Sequence, residues 1–417
     1  MKPRTLILVA AAFVACGSSS PGAGSSGGGG TGMTSGSGNL SEGGSSGGGS
    51  GSVSVTGSEG GSGDVSMTGS GSGTGRVSMT GSGSSGVASG SSGSADTGAA
   101  SDASGGGPAG GADTSVAWDT FTATNPANHG FTTVEADPAE AMSNGCAGCG
   151  SHTQVAAVNP HAKTMMKKLV LQFGGVGGTE GGLGGAGNFC LARGFHVFGV
   201  AYYAWTPVFP PKNAAWPGDV RKEEFDGMDH TGGQMGLHPA DGVATRVKMG
   251  LAYLQKNYPT EAWGYFLAAD GSVRWQDVIF TGYSHGASTA ARFGYLVGAS
   301  RIVSSAGPRD STCNSLACNN GEIVASWFTE TPATPITQFY GISGAGDAQH
   351  TQHLFAWQKM GLPGTPQEVD GSQPPYTTHR FTSTSSGHDD FCGKGGVFVG
   401  VCNYMFGVPP ENAAGTN

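Results

Sequence analysis

A serine at the centre of a G-x-S-x-G pattern is the first residue of this sequence that could do chemistry. Residues 281–288 read TGYSHGAS, and the serine is Ser284. A serine hydroxyl becomes a good nucleophile when a base takes its proton, an acid orients that base and N–H donors stabilise the oxyanion that forms. The chain contains 78 glycines, so chance matches are expected, mainly within the glycine-rich residues 17–115. The surroundings of Ser284 therefore decide between a nucleophile and a serine in an ordinary turn.

The residues on either side of Ser284 predict a strand, a tight turn and a helix. Residues 277–280 form a short apolar run that is typical of a buried strand, and residues 287–297 are rich in small residues and predict a helix. A strand that runs through such a turn into a helix lifts the serine above the carboxyl edge of a sheet, and the small flanking residues avoid clashes. This context favours a nucleophile.

The elements that must position the serine alternate along the rest of the chain. Further strands are predicted at residues 168–173, 195–202, 301–305, 336–341 and 379–383, and further helices at residues 188–193 and 241–258. Alternating strands and helices indicate crossover connections, and hence a mostly parallel sheet with helices on both faces. Residues 116–417 are therefore predicted to form one α/β domain of about 300 residues, long enough for a sizeable core.

This order of elements, with G-x-S-x-G between a strand and a helix, resembles the α/β-hydrolase superfamily over about residues 168–388. In that family the acid follows a later strand and the histidine follows the last one. The resemblance implies Asp347, in GISGAGD, as the acid and His388, in SGHD, as the base. His388 would take the proton of Ser284 and return it to the leaving group, while Asp347 would hold the imidazole in the right tautomer.

Each implied partner of Ser284 has rivals in the sequence. Asp310 follows the preceding predicted strand and is the second candidate for the acid. Asp389 and Asp390 lie beside His388 and are interpreted as solvated charges, with a supporting role in the site as the alternative. Three other histidines are candidates for the base, although each is more typical of a surface or packing position: His350, His353 and His379.

An oxyanion hole is expected from the same resemblance. One donor is the backbone N–H of His285, directly after the nucleophile. The second is Gly175 or Val176, in a glycine-rich loop that resembles the H-G-G-G segment of esterases, although Gln172-Phe173 stand where the histidine would be. A phosphate-binding loop is the competing interpretation, but the Lys-Ser/Thr ending is missing, so no cofactor is predicted.

Residues 201–240 form an insertion rich in Trp, Tyr, Phe and Pro. It is predicted either to cap the active site against a substrate or to pack as an irregular part of the core, and the sequence does not choose between them. The insertion contains four acidic residues whose spacing lacks a recognised calcium loop, so no metal site is predicted and a solvated face is favoured. These residues are Glu223, Glu224, Asp226 and Asp229.

The N-terminal residues predict export from the cytoplasm. Residues 1–16 combine a basic start with an apolar run that is too short for a stable membrane anchor. They end in Phe13-Val14-Ala15-Cys16, which resembles a lipoprotein signal with Cys16 as the acylated residue; Gly17 would favour outer-membrane sorting, and ordinary secretion is the alternative. Residues 17–115 are almost entirely small and polar, without an aromatic residue, and predict a disordered tether.

Export permits disulfides, and seven cysteines remain after Cys16. Cys190 is the candidate for a buried free thiol. The C-x-x-C of residues 146–149 lacks the following histidine of a haem site and the further ligands of a zinc site, so a disulfide is favoured there. The candidate pairs, which spacing alone does not fix, are Cys146 with Cys149, Cys313 with Cys318, and Cys392 with Cys402.

The leading hypothesis is an exported serine hydrolase that cleaves a small-molecule or polymeric carboxylic ester. The net charge of −9, without a clustered basic face, argues against nucleic acid as a partner. The only membrane contact expected is a lipid anchor at Cys16. The alternatives are a serine hydrolase that acts on peptide or polyester bonds, and a surface binding module built on a hydrolase scaffold that has lost its activity.

Overall fold

The computed structural model describes residues 116–136, 152–178, 180–204, 213–311, 324–371 and 374–416. The predicted export signal, the tether and four of the paired cysteine candidates lie outside these residues; the cysteines concerned are Cys146, Cys149, Cys313 and Cys318, in addition to Cys16. Among the helices described, none combines the length and the apolar character that a membrane-spanning segment needs.

The described residues form one sheet of nine strands in the order β1-β2-β4-β3-β5-β6-β7-β9-β8. Only β2 runs against the other strands, because it pairs antiparallel with both of its neighbours while the remaining pairs are parallel. The strands are β1 (Ala127–Thr132), β2 (Thr153–Val158), β3 (Leu169–Phe173), β4 (His196–Gly199), β5 (Val278–Tyr283), β6 (Arg301–Ser305), β7 (Phe339–Gly344), β8 (Gln367–Glu368) and β9 (Arg380–Ser383).

Helices cover both faces of the sheet. The α-helices are α1 (Thr133–Ala136), α2 (Gly184–Leu191), α3 (Trp216–Asp226), α4 (Val243–Asn257), α5 (His285–Leu296), α6 (His350–Met360), α7 (Phe391–Lys394) and α8 (Phe398–Phe406). Short 3₁₀ helices lie at Trp118–Thr120, Pro259–Glu261, Trp263–Phe266, Trp275–Asp277, Ser326–Thr329, Ile336–Gln338 and Pro410–Asn412.

Two hydrophobic cores lie on opposite faces of the sheet. In β3, Leu169, Leu171 and Phe173 belong to the core that contains residues of α4 and α5, whereas Val170 belongs to the core that contains residues of α2, α7 and α8. Side chains of a strand alternate between faces, and a strand buried on both faces is therefore apolar throughout. This is the predicted α/β layering, with a mostly parallel sheet between two layers of helices.

Strand and helix predictions differ from the structure mainly at their ends. β5 continues to Tyr283, beyond the predicted end at residue 280, because pairing with β6 extends from Ile279 to Tyr283. Residues 336–338, predicted as strand, form a 3₁₀ turn after Pro335, and β7 begins only at Phe339. The prediction missed β1 and β2 at one edge of the sheet and β8 at the other, as well as the helices α1, α3, α6, α7 and α8.

One predicted disulfide lies within the described residues. Cys392 and Cys402 are bonded and join α7 to α8, which is the predicted pair. Cys190 is a buried free thiol on α2, also as predicted, and burial raises the pKa of this thiol well above its ordinary value. A buried, protonated thiol is a packing group and a poor nucleophile.

Replacing both Cys392 and Cys402 with alanine should lower the free energy of unfolding by about 3 kcal/mol, because the cross-link no longer restricts the unfolded chain. Urea unfolding without reductant measures this difference. A Cys392→Ser, Cys402→Ser variant is the companion, since it adds the burial of two hydroxyl groups and should be less stable still. A double alanine variant as stable as the wild type would contradict the expected role of this bond.

Candidate active site

Ser284 lies at the turn between β5 and α5, in a backbone conformation that only a few residues adopt. Its φ is 58° and its ψ is −118°, a strained combination for a residue other than glycine. The Ser284 N–H donates to the Ser305 carbonyl at 3.0 Å, and the Ser284 carbonyl accepts from the Ala287 N–H at 3.0 Å. These two bonds hold the turn at the carboxyl end of β5, as the strand, turn and helix prediction requires.

The two glycines of the motif are needed because backbones pass very close to each other here. A Cβ atom on Gly282 would lie 2.2 Å from the Gly286 oxygen, and one on Gly286 would lie 2.4 Å from the Phe173 oxygen. No side chain fits at these distances. The spacing G-x-S-x-G is therefore a packing requirement of this turn against the end of β3.

Replacing Gly286 with alanine should destabilise the protein by about 1–3 kcal/mol, because the added methyl group forces neighbouring backbone apart. The sign makes the test sharp, since glycine to alanine within a helix is ordinarily stabilising. Gly130→Ala is the matched control, because a Cβ there would meet no atom within 4 Å. Thermal and urea unfolding of both variants measure the effect, and equal stabilities would mean that the close approach is absent.

Asp347 and His388 are in direct contact. His388 Nδ1 lies 2.6 Å from Asp347 Oδ2, and the Gln349 N–H donates to Asp347 Oδ1 at 2.8 Å. Burial by itself raises the pKa of Asp347, but the hydrogen bonds from His388 and Gln349 outweigh it, so this pKa lies below its ordinary value. A charged carboxylate at Nδ1 holds the ring proton there and leaves Nε2 as the basic nitrogen.

Tyr283 connects the turn that carries Ser284 to the loop that carries His388. The rings of Tyr283 and His388 have centroids 5.0 Å apart, and the Tyr283 hydroxyl donates to the His388 carbonyl at 3.1 Å. Since Tyr283 directly precedes Ser284, these contacts place the His388 loop beside the turn. Tyr283 is not among the predicted site residues, because no local signal reveals a contact with a residue 105 positions away.

The rival acid has a different partner. Asp310 is buried and accepts two hydrogen bonds from Arg221, at 2.7 Å from Nε and 2.8 Å from Nη2. Burial raises the pKa of Asp310, but the Arg221 charge outweighs it and keeps this pKa below its ordinary value. The structure therefore pairs His388 with Asp347, and it pairs Asp310 with an arginine of α3.

The rival histidines also have other partners. His353 is fully buried, and its Nδ1 lies 2.9 Å from the Ser343 hydroxyl, which His350 Nδ1 also contacts at 2.9 Å. Burial lowers the pKa of His353 to about 3. Its Nδ1 is 3.8 Å from Asp347 Oδ2, farther than His388. His379 stacks on Tyr340, with ring centroids 4.3 Å apart.

The two aspartates after His388 differ from each other. Asp389 accepts from the Lys394 ammonium group at 2.7 Å and from the Gly387 N–H at 3.0 Å. The predicted solvated charge is wrong for Asp390, whose Oδ2 accepts from the Gly185 and Ala186 N–H groups at the start of α2. The first N–H groups of a helix lack acceptors within it, and a carboxylate satisfies them well. Burial nevertheless raises the pKa of Asp390.

The candidate oxyanion donors lie on either side of Ser284. Phe173 pairs with Gly282 across β3 and β5, and a Cβ atom on Gly175 would lie 3.7 Å from the Ser284 Cβ. Within the loop, the Gly177 N–H donates to the Ala204 carbonyl and the Gly178 N–H to the Gly175 carbonyl, each at 3.0 Å. On the other side, His285 is the first residue of α5. Gly175 and Val176 thus both remain candidates for the second donor.

The prediction of a solvated acidic face in the insertion is wrong for Glu223 and Glu224, which are buried. Glu224 Oε2 accepts from the Thr289 hydroxyl at 3.1 Å, and its Oε1 lies 3.3 Å from His285 Nε2. Glu223 accepts from the Thr231 hydroxyl at 2.7 Å. Asp226 and Asp229 accept backbone N–H groups of residues 228–233. Glu223, Asp226 and Asp229 therefore bind residues 228–233, and Glu224 joins α3 to α5.

The described part of the insertion packs into the protein. Trp216 and Val220 of α3 form a small cluster with Met235, and Tyr202 lies in the core beside α4 and α5. These residues of the insertion are therefore buried. Residues 205–212, which include most of the aromatic segment considered as a cap, lie outside the described residues.

The strand order, the single reversed strand β2 and the sharp turn at Ser284 together define the architecture. The chain has the α/β-hydrolase fold. Asp347 follows β7 and His388 follows β9, which is the chain order in which an α/β hydrolase carries its acid and its histidine.

No family model matches the chain, and no curated protein matches it. Solved structures are similar at low identity. An esterase from Rhizomucor miehei is 9% identical, with 68% of this chain and 84% of that chain covered and a TM-score of 0.34. An S-formylglutathione hydrolase from Agrobacterium tumefaciens is 12% identical, with 71% and 98% covered and a TM-score of 0.36. A bacterial brefeldin A esterase is 13% identical, with 72% and 81% covered and a TM-score of 0.35. These likenesses are distant, and the α/β-hydrolase fold rests on the strand order and the turn.

Proposed function

We propose that this α/β-hydrolase-fold protein is a serine hydrolase that cleaves carboxylic esters. Ser284 is the nucleophile, His388 is the general base and Asp347 orients the imidazole. The observation that supports this proposal best is the 2.6 Å contact between His388 Nδ1 and Asp347 Oδ2, in a loop that Tyr283 ties to the Ser284 turn. Ser284 also has the strained backbone conformation that is typical of functional residues.

The reaction would proceed in two halves. His388 Nε2 takes the proton of Ser284 as the serine oxygen attacks the acyl carbon, and the tetrahedral oxyanion that forms is stabilised by the backbone N–H donors. His388 then gives the proton to the leaving alkoxide, and an acyl-enzyme remains. A water molecule, deprotonated by His388, attacks the acyl carbon, and collapse of the second intermediate breaks the bond to the Ser284 oxygen, which takes the proton back from His388 as the carboxylic acid is released.

An ester is the acyl substrate we favour, because an ester carbonyl is less stabilised by resonance than an amide carbonyl, and an alkoxide leaves far more readily than an unprotonated amide nitrogen. A peptide or a polyester would use the same residues and the same steps. We further propose, from the N-terminal sequence alone, that the protein is exported and anchored at Cys16, so that residues 17–115 separate the hydrolase domain from the membrane surface.

The wild-type protein should react with a fluorophosphonate probe, and Ser284→Ala should not, because the probe modifies only a serine that a neighbouring base activates. Gel fluorescence of the labelled protein over time measures the rate. Ser272→Ala is the matched control, since it removes a serine in an exposed turn and should label like the wild type. Wild-type labelling no faster than that of Ser284→Ala would contradict the proposal and favour the inactive binding module.

Asp347→Asn should lower kcat for p-nitrophenyl acetate by about 10³- to 10⁴-fold, because the imidazole loses the carboxylate that fixes its tautomer. Asp310→Asn should instead cost mainly stability, about 3 kcal/mol or more, because it leaves the buried Arg221 charge without its partner. Steady-state kinetics and urea unfolding of both variants separate the two effects. A loss of kcat in folded Asp310→Asn equal to that in Asp347→Asn would contradict the assignment of the acid.

A further inference from the structure

Tyr202 is a buried residue just after β4 whose hydroxyl group donates to the Gly174 carbonyl at 2.6 Å. Gly174 follows β3 and begins the loop that carries the candidate oxyanion donors. This contact reaches the loop from the core side, and it is short. It fixes the direction of one peptide unit, the one that joins Gly174 to Gly175.

The direction of that peptide unit determines where the Gly175 N–H points. A trans peptide is planar, and its C=O and N–H bonds point in opposite directions. The Gly174 oxygen faces Tyr202, which lies in the core, so the Gly175 N–H faces away from the core. Ser284 lies next to Gly175, since a Cβ atom on Gly175 would be 3.7 Å from the Ser284 Cβ.

We infer that Tyr202 is a positioning residue that aims the Gly175 N–H at the oxyanion, which makes Gly175 rather than Val176 the second donor. The Gly175 carbonyl is turned inward on its own loop, where it accepts from the Gly178 N–H at 3.0 Å. Val176 is the residue after Gly175 in this turn, and it is 60% exposed. This inference rests on the proposed serine hydrolase chemistry.

Tyr202 and the buried charged residues near it also contact the side chain of the other candidate donor, His285. The Tyr202 ring stacks near the His285 ring, with centroids 6.0 Å apart and an angle of 25° between the planes. His285 Nε2 lies 3.3 Å from Glu224 Oε1, and Arg221 Nη1 donates to the Thr289 hydroxyl at 2.7 Å. Helix α3 of the insertion therefore supplies charged groups beside the His285 side chain.

The Tyr202 hydroxyl stays protonated and so remains a hydrogen-bond donor. Burial raises the pKa of Tyr202 well above its ordinary value, and the negative charge of Glu224 raises it further. The phenol therefore keeps its proton over the pH range in which an esterase is assayed. A change of pH therefore does not break the hydrogen bond to the Gly174 carbonyl, and a mutation is needed to remove it.

Tyr202→Phe removes this hydrogen bond and keeps the ring, so it tests the inference directly. An oxyanion donor acts on the transition state, and its loss lowers kcat while KM changes little. For p-nitrophenyl acetate we expect kcat to fall by about 10- to 100-fold, less than for complete removal of a donor. The inhibition constant of an alkyl trifluoromethyl ketone, which forms a tetrahedral adduct on serine, should rise by a similar factor.

Tyr295→Phe is the matched control. Tyr295 is another buried tyrosine whose hydroxyl donates to a backbone carbonyl, that of Phe328 at 3.3 Å, near the end of α5 that lies away from Ser284. It should leave both kcat and the inhibition constant unchanged. Equal kinetics for Tyr202→Phe and Tyr295→Phe in an active wild-type background would overturn the inference and leave the proposed function standing.

The same experiment separates the two proposals. A wild-type protein whose ester hydrolysis does not depend on Ser284 would contradict the proposed function itself.

If Tyr202→Phe does not fold, replacement of the Gly175 amide by an ester, with glycolic acid in place of the glycine, removes the N–H alone. That change should also lower kcat and weaken the ketone, whereas the same kcat as the wild type would exclude Gly175 as the donor.

Discussion

The close approach of the α5 backbone to the end of β3 is the constraint on which the candidate site depends. Gly286 lies so near Phe173 that a Cβ atom would be 2.4 Å from the Phe173 oxygen. This contact brings the Ser284 turn and the loop that begins at Gly174 together without an intervening side chain. In the proposed reaction, a backbone N–H from that loop can then reach the oxyanion of an acyl group attached to Ser284, and a side chain at Gly286 would keep the two segments apart.

The buried charged residues near this contact hold two helices in position. An ion pair in the core loses much of its hydration, and replacing such a pair with apolar groups often costs nothing in stability. Arg221, Glu224 and Asp310 nevertheless lie buried together, and Arg221 and Glu224 also contact Thr289 of α5. Charges fix distances and directions that apolar side chains leave free. In this protein they fix α3 and the first turns of α5 relative to each other.

The segment that follows His388 is held from two directions. Asp390 accepts hydrogen bonds from the first turn of α2, and Cys392 is bonded to Cys402 of α8. Together with the Tyr283 contact on the other side, these bonds leave little freedom to the His388 loop. In the proposed reaction, the His388 imidazole gains from such a fixed position, because proton transfer needs donor and acceptor within hydrogen-bond reach.

The sequence by itself determined the central strands and the turn at Ser284, since these follow from local patterns, whereas Asp347 and His388 were expected from the resemblance to α/β hydrolases. Buried strands are apolar runs, and a backbone crossing that excludes side chains requires glycine. Only the tertiary structure shows which aspartate contacts His388, because both Asp347 and Asp310 follow strands and Asp310 instead binds Arg221, which lies 89 positions away. Local patterns also do not predict the burial of Glu223 and Glu224 or the hydrogen bond from Tyr202 to the Gly174 carbonyl. Hydrogen bonds and ion pairs between distant segments carry no local pattern, and they form only when the fold brings those segments together.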